Sequence, residues 1–256
     1  MARKYQYNYS ELKSSVFDSN DRINKARKTL AVLEDYLSYT SNLTLLDIGS
    51  STGIMTNEYA DYFQSVVGID IDVKAVNFAN QKFKKNNIRF VNLPIEETDF
   101  KEESFDVITC SHIYEHVPSD RLLMDNIYKL LKPGGICYFA AGNRYKIIET
   151  LYNLPFLSYF PKKIANFYIR IFTKHKEYYE NLKSLRQLKK LVSSFEIVDY
   201  TLKILEKPTE FYANDMLKEG TLKYSIVNFL SNKFYFIIPT YIWILKKPET
   251  SIKVSK

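Results

Sequence analysis

The chain has 256 residues, 46% of them hydrophobic, which is enough to bury the core of one large α/β domain with additions and excludes general disorder. A net charge of +7 and a pI near 9.1 favour anionic surfaces or phosphorylated substrates, while scattered lysines and the lack of a recognition motif argue against nucleic acid. The opening MARKYQYNYS has no signal-peptide core, no run reaches the roughly 18 apolar residues of a membrane span, and Cys110 and Cys137, without metal-ligand spacing, read as core thiols of a reducing cytoplasmic compartment.

In chain order, residues 1–18 read as an irregular arm. Tyr5, Tyr7 and Tyr9 alternate in it, as an edge strand, as surface packing or as an aromatic lip over a ligand. Residues 19–143 should form an α/β core. From Ser19, the positions Ile23, Ala26, Leu30, Leu33 and Leu37 keep a 3-4 spacing, so a helix is expected with this face over the sheet edge. Leu45, Leu46 and Ile48 then make a short apolar strand, followed by the small-residue turn Gly49-Ser50-Ser51-Thr52-Gly53 and a helix from Ile54 to about Phe63. A strand, a glycine-hinged loop and a helix N-terminus together offer N–H groups to a ligand.

A second strand over Ser65 to Asp70 ends in an acid 21 residues after Gly49, where a carboxylate can accept hydrogen bonds from a ribose diol. These features point to a nucleoside-binding domain. A nicotinamide dinucleotide is one option, but its G-x-G-x-x-G spacing is missing, Ser51 crowds the pyrophosphate position, and Asp47 would repel it. A cofactor carrying an ammonium and a sulfonium suits Asp47 better.

The stretch Asp47 to Gly53 resembles motif I of the class I, seven-stranded Rossmann-like methyltransferases of the type 11 group, which use S-adenosyl-L-methionine; Ser51 replaces the middle glycine. Further pieces follow in the family's order: a helix over Asp72 to Lys85, strand three over Ile88 to Val91, strand four over Phe105 to Ser111, and HIYEHVP. A helix over Ser119 to Leu131, the LLKPGG turn and strand five over Ile136 to Ala141 complete them. The resemblance implies a doubly wound, mostly parallel seven-stranded sheet with an antiparallel last strand. It also implies that Asp47, Gly49, Ser51 and Gly53 shape the methionine side, Asp70 holds the ribose, Ile71 and Ile95 flank adenine, and Ser111 lies under the transferable methyl. Pro94 stands where many relatives carry an acid for the adenine amino group. For a hydroxyl acceptor a general base is useful, and His112 is the first candidate, His116 the second. Each could instead line the pocket or orient the loop. Glu115 reads as loop support and His175 as a surface residue.

Residues 144–180, dense in aromatics, read as a helical cap over the acceptor, with possible membrane contact through 151–172 at the inner membrane face. Residues 181–248 return to the core. A helix capped by Ser184, a strand over Phe195 to Leu205, a second insertion near 208–233 and a last strand over Tyr241 to Leu245 are expected, followed by a disordered tail over 249–256. The Asn143-Arg144-Tyr145 run and the cap resemble methyltransferases of glycan and lipid-linked sugar pathways. That resemblance implies O-methylation of a glycan or glycolipid hydroxyl. A lipid or quinone acceptor, a nicotinamide oxidoreductase and a catalytically silent cofactor-binding subunit are the alternatives.

Overall fold

The computed structural model describes residues 5–249 except 150 and 176. The N-terminal arm is less irregular than its sequence suggests. It makes one helical turn, α1 (Tyr9–Leu12), and a 3-10 turn over Ser14–Phe17. Helix α2 (Ser19–Leu37) follows, capped by Asp18, whose side chain accepts the N–H groups of Asn20 and Asp21. The core then alternates: β1 (Thr44–Ile48), α3 (Ile54–Tyr59), β2 (Ser65–Ile69), α4 (Val73–Lys82), β3 (Ile88–Val91), β4 (Phe105–Ser111), α5 (Asp120–Leu130) and β5 (Leu131–Gly142). The cap holds the short ribbon β6 (Ile148–Glu149) and β7 (Leu154–Pro155), then α6 (Lys162–Phe172). The chain closes with α7 (Leu185–Leu191), β8 (Glu196–Asp199), α8 (Thr201–Glu206), α9 (Leu222–Lys233) and β9 (Thr240–Lys246).

The main sheet has seven strands in the order β3-β2-β1-β4-β5-β9-β8. The first five are parallel, and β9 runs antiparallel between β5 and β8, giving the α/β arrangement expected from the sequence. Side chains alternate across it. Leu45, Val66, Val107, Ile136 and Tyr138 face α2, whereas Leu46, Ile69, Ile108, Cys137 and Phe139 face α5. Helix α2 therefore lies on a sheet face rather than over an edge, because its Ala26, Leu30 and Leu33 meet the middle strands. Both cysteines are buried free thiols.

Other boundaries move for local reasons. Asp72 caps α4 by accepting the N–H groups of Lys74 and Ala75, and the helix stops at Lys82, short of the expected Lys85. Helix α3 ends at Tyr59 rather than near Phe63. The expected strand over Phe195 to Leu205 is half helix. Asp199 accepts the Thr201 N–H at 2.8 Å, which turns the chain into α8. Ser184 does cap α7, its own N–H bonding Gln187 Oε1 at 3.0 Å. Of the tail, only Glu249 lies within the described residues.

The cap is tied to the sheet by two buried polar residues. The Tyr114 hydroxyl donates to the Gly142 carbonyl and accepts the Lys183 N–H. Asn143 Nδ2 donates to the Phe236 and Ile238 carbonyls, both at 2.8 Å, so the cap's start and the chain before β9 move as one unit. Opposite them the order of strands reverses between β1 and β4, and the crevice at their C-terminal ends is where a ligand belongs in such a sheet.

Candidate functional site

One cavity of about 1190 Å³ occupies that crevice. Ligand pockets span roughly 300–1,000 Å³, so there is room for a nucleoside cofactor together with an acceptor. Nine of the ten residues singled out in the sequence line it: Asp47, Gly49, Ser51, Asp70, Ile71, Ile95, Ser111, His112 and His116. Gly53 does not. It sits at φ +72°, and a Cβ there would meet Phe90 at 2.6 Å and Ala79 at 2.7 Å, so its glycine serves the packing of α3 against α4 and β3.

The first loop does not offer its amides to a ligand as the sequence suggested. The Gly49 and Ser50 N–H groups donate to the Ile69 carbonyl at 2.8 and 3.0 Å, the Ser51 N–H donates to Asp70 Oδ2 at 2.8 Å, and the Gly53 N–H donates to the Ser50 carbonyl at 2.9 Å. Ser51 adopts φ +51° to reach its partner. With these four amides spent, the loop holds its shape but makes a poor cradle for a pyrophosphate, which is bound through such donors.

What the loop offers instead is negative charge. Asp47, on β1, is buried, and it accepts hydroxyl hydrogens from Thr56 on α3 and Thr109 on β4, both at 2.6 Å. The register that pairs Asp47 with Thr109 across β1 and β4 brings them together. Burial pushes the Asp47 carboxyl above its ordinary range against those two hydrogen bonds. Asp70 Oδ1 accepts the Asp72 N–H at 2.8 Å, and burial raises its carboxyl as well. A buried and a half-buried carboxylate whose hydrogen-bond donors are all neutral gain from a cation and from hydroxyl donors. The residues present therefore fit a positively charged nucleoside.

At the tip of β4, His112 has a left-handed backbone at φ +56°, and its N–H donates to the Ala140 carbonyl at 2.8 Å. Its Nδ1 lies 3.1 Å from Glu115 Oε1. Glu115 is buried. Although burial tends to raise its carboxyl, the hydrogen bond from His112 and the two nearby imidazoles hold it below the usual glutamate range. An ionised carboxylate only accepts, so Nδ1 donates in this contact, and in the neutral imidazole that tautomer leaves the lone pair on Nε2. This is the arrangement of an oriented base.

His116 belongs to a second group that residue spacing did not reveal. Lys146 Nζ lies 2.7 Å from Glu149 Oε1 and 3.3 Å from Glu180 Oε2, and His116 Nε2 lies 3.9 Å from Glu180 Oε1. All three cap residues are buried. Burial, reinforced by the Glu149 charge, pushes the Glu180 carboxyl well up, whereas Glu149 is lowered: burial opposes ionisation, but the Glu180 hydrogen bond and the Lys146 charge outweigh it. Of the two carboxyls, Glu180 is the one whose protonated form its surroundings favour. Only the chain reversal between β6 and α7 brings these residues together, so no local motif marks them.

The N-terminal arm closes the cofactor end. The Ser10 N–H donates to Asp72 Oδ2 at 2.8 Å, the Thr52 hydroxyl donates to the Val16 carbonyl at 2.7 Å, and Tyr5 and Tyr9 line the cavity. No edge strand forms there among the described residues. Tyr9 stacks at a tilt on His116, with centroids 5.4 Å apart. His175 packs edge-on against Tyr152, away from this group.

Comparison with known proteins yields concordant matches. Residues 46–139 match the family model described as a methyltransferase domain. A ubiquinone biosynthesis O-methyltransferase of Psychrobacter cryohalolentis is 34% identical over 105 residues, 39% of this chain and 41% of that protein. A protein of the same name from Glaesserella parasuis is 30% identical over 122 residues, 45% of this chain and 52% of the relative. The chain spans about half the length, or less, of the curated relatives it matches. Among solved structures, the plantazolicin methyltransferase BpumL, in complex with a desmethyl analogue and S-adenosylhomocysteine, superposes with a TM-score of 0.57 at 17% identity, covering 92% of this chain and 89% of its own. At that identity the likeness is one of fold.

Proposed function

We propose, from the premise that residues 46–139 form a class I methyltransferase domain, that the protein transfers a methyl group from S-adenosyl-L-methionine to a hydroxyl oxygen of an apolar, quinone- or lipid-like acceptor. The observation that carries the reading is the His112–Glu115 pair, held 3.1 Å apart in the same cavity as Asp47 and Asp70. The cofactor, when bound, supplies a methyl group on a positively charged sulfur, already activated for displacement.

The chain's own residues do the rest. Asp47 and the Gly49–Ser51 turn hold the methionine side, Asp70 takes the ribose hydroxyls, and Ile71 and Ile95 flank the adenine. Ser111 lies at the reacting end. His112 Nε2 accepts the proton of the acceptor hydroxyl as the oxygen attacks, and Glu115 keeps the imidazole in the required tautomer and stabilises the cation that results. Tyr5 and Tyr9 of the arm and the cap residues exclude water.

The acceptor class rests on two observations. The relatives are named for O-methylation in ubiquinone biosynthesis. The cavity lining also includes the apolar residues Ile204, Leu205, Met216, Val227, Leu230 and Phe234, suited to a hydrocarbon chain. The glycan hydroxyl expected from the cap's sequence has no counterpart among those names.

The test is incubation with methyl-labelled cofactor and two acceptor pools, prenylated hydroquinols and solvent-extracted glycans. Label should enter the hydroquinol pool, and His112→Ala should lower that turnover by about 10²–10⁴-fold with S-adenosylhomocysteine affinity unchanged. Label confined to glycans would overturn the acceptor, and full turnover by His112→Ala would overturn the base. Tighter binding of NADH than of S-adenosylhomocysteine would overturn the cofactor.

A further inference from the structure

Helices α6 and α9 leave most of their apolar surface without a protein partner. On α6 only Ala165 and Ile169 are buried, while Ile164, Phe167 and Ile171 share one exposed stripe at i, i+3, i+7 spacing, with Phe167 66% exposed. On α9 no residue is buried, although it carries Leu222, Ile226, Phe229 and Leu230, and Leu222 is 77% and Phe229 67% exposed. A helix this apolar on several sides normally lies inside a core. Exposed apolar surface on this scale marks an interaction face.

Both helices adjoin segments that line the cavity. The ribbon preceding α6 contributes Ile147, Ile148 and Leu151, and α9 contributes Val227 and Leu230. Hydrogen bonds tie neighbouring segments together. The Tyr159 hydroxyl donates to the Tyr145 carbonyl at 2.7 Å, and Asn143 next to it holds the Phe236 carbonyl at 2.8 Å. Tyr145, Phe156, Tyr159 and Phe236 along this line are all exposed.

Charge selects the occupant. Neither helix carries an acidic residue: α6 has Lys162, Lys163 and Arg170, and α9 has Lys223 and Lys233. At 11 and 12 residues both are too short to cross a bilayer, which takes about 20, and no helix among the described residues is long and apolar enough to do so. An apolar face edged only by cations, on helices of this length, is the composition of a segment that lies in a lipid headgroup layer.

We propose that the outer faces of α6 and α9 dock on an anionic bilayer, with the cavity mouth toward the membrane. Phe167, Ile171 and Phe229 enter the acyl boundary, and Lys163 and Lys233 meet lipid phosphates, while Lys162 and Lys223 are held by backbone carbonyls of Tyr178, Glu180 and Met216. The proposal does not depend on which acceptor is methylated or on the base.

Flotation of the full chain with vesicles tests it. The protein should float with vesicles of mixed phosphatidylglycerol and phosphatidylcholine, and far less with phosphatidylcholine alone or at high salt. Phe167→Ser combined with Phe229→Ser should weaken binding to the anionic vesicles by about 10-fold or more. S-adenosylhomocysteine affinity by calorimetry should stay unchanged, which shows the variant is folded. Lys163→Glu with Lys233→Glu, which leaves the apolar stripe intact, should lower binding to anionic vesicles only. A parent protein that stays with the soluble fraction would overturn the proposal, as would double variants that float as well as the parent. A parent that ignores vesicles but dimerises by light scattering, with the Ser variant monomeric, would also overturn it and assign the face to a second copy of the chain.

Discussion

The tips of β1 and β2 and the cap each hold carboxylates out of water, and they compensate them by different means. At the tips of β1 and β2, Asp47 and Asp70 are held by hydroxyls and backbone amides: Thr56 and Thr109 for one, Ser51 and Asp72 for the other. In the cap, Glu149 and Glu180 share one lysine, and burial favours the neutral form of Glu180. Neutral donors leave a carboxylate's charge in place for a ligand to meet. A lysine at 2.7 Å cancels it within the protein. The contrast assigns ligand chemistry to the first region and cohesion of the cap to the second.

The contrast breaks most visibly at Glu149. It is fully buried, pairs with Lys146 through Oε1, and accepts the Leu151 and Tyr152 N–H groups through Oε2, both at 2.9 Å. Removing one partner of a buried pair strands the other and costs about 3–5 kcal/mol. Glu149→Ala should therefore lower stability by that order in denaturant unfolding, and S-adenosylhomocysteine affinity of the folded fraction should stay near that of the parent. A loss of affinity without a loss of stability would reverse the assignment of the two regions.

Asp70→Ala should do the converse. Losing a charged hydrogen-bond partner of the ribose weakens cofactor binding by about 1–3 kcal/mol, read by calorimetry with S-adenosylhomocysteine. The Ser51 N–H also loses its acceptor, so some loop order goes with it. An unchanged affinity would remove Asp70 from the site.

How much of this was legible in the sequence follows the same division. The first region is local: a strand, a turn and an acid one βαβ unit later fall within Leu45 to Asp70, and short continuous apolar runs with small turn residues mark each in place. Its errors were also local. Gly53 looked like a ligand glycine because spacing cannot show that Phe90 and Ala79 press on it. The loop amides looked available because the sequence does not show the Ile69 carbonyl that takes two of them. In the cap, nothing in the sequence singles out Lys146, Glu149 and Glu180. Their meeting depends on the chain between them folding back, which Tyr152, Leu157, Ala165 and Ile169 support by packing together, and no periodicity encodes that return. The His112–Glu115 pair stands between the two cases. Both residues were visible three apart, but the left-handed turn at His112 that sets their geometry was not.

The finest probe of the comparison is the proton on Glu180. Its carboxyl is held well above the usual glutamate value in the folded protein, by burial first and then by the Glu149 charge. Below the unfolded-chain value, about 4.3, both states are protonated and this contribution to stability is complete. As the pH rises above that value the unfolded chain releases the proton while the folded protein keeps it, so stability falls, by up to about 1.4 kcal/mol per pH unit. The fall ends once the pH passes the folded value. Glu149 and Glu115, which are lowered, act in the other window. Their stabilisation is present above the unfolded value and is lost as acid brings the pH down through their folded values. Lys146, raised by the two glutamates against its burial, loses its share only at alkaline pH. Glu180→Gln keeps the shape of the protonated acid and has nothing to ionise. The difference in unfolding free energy between variant and parent should therefore grow in the variant's favour as the pH rises above the unfolded-chain value, with cofactor affinity unaffected. Parallel pH profiles for the two proteins would mean that Glu180 is ionised in the cap, and that Lys146 alone neutralises both carboxylates.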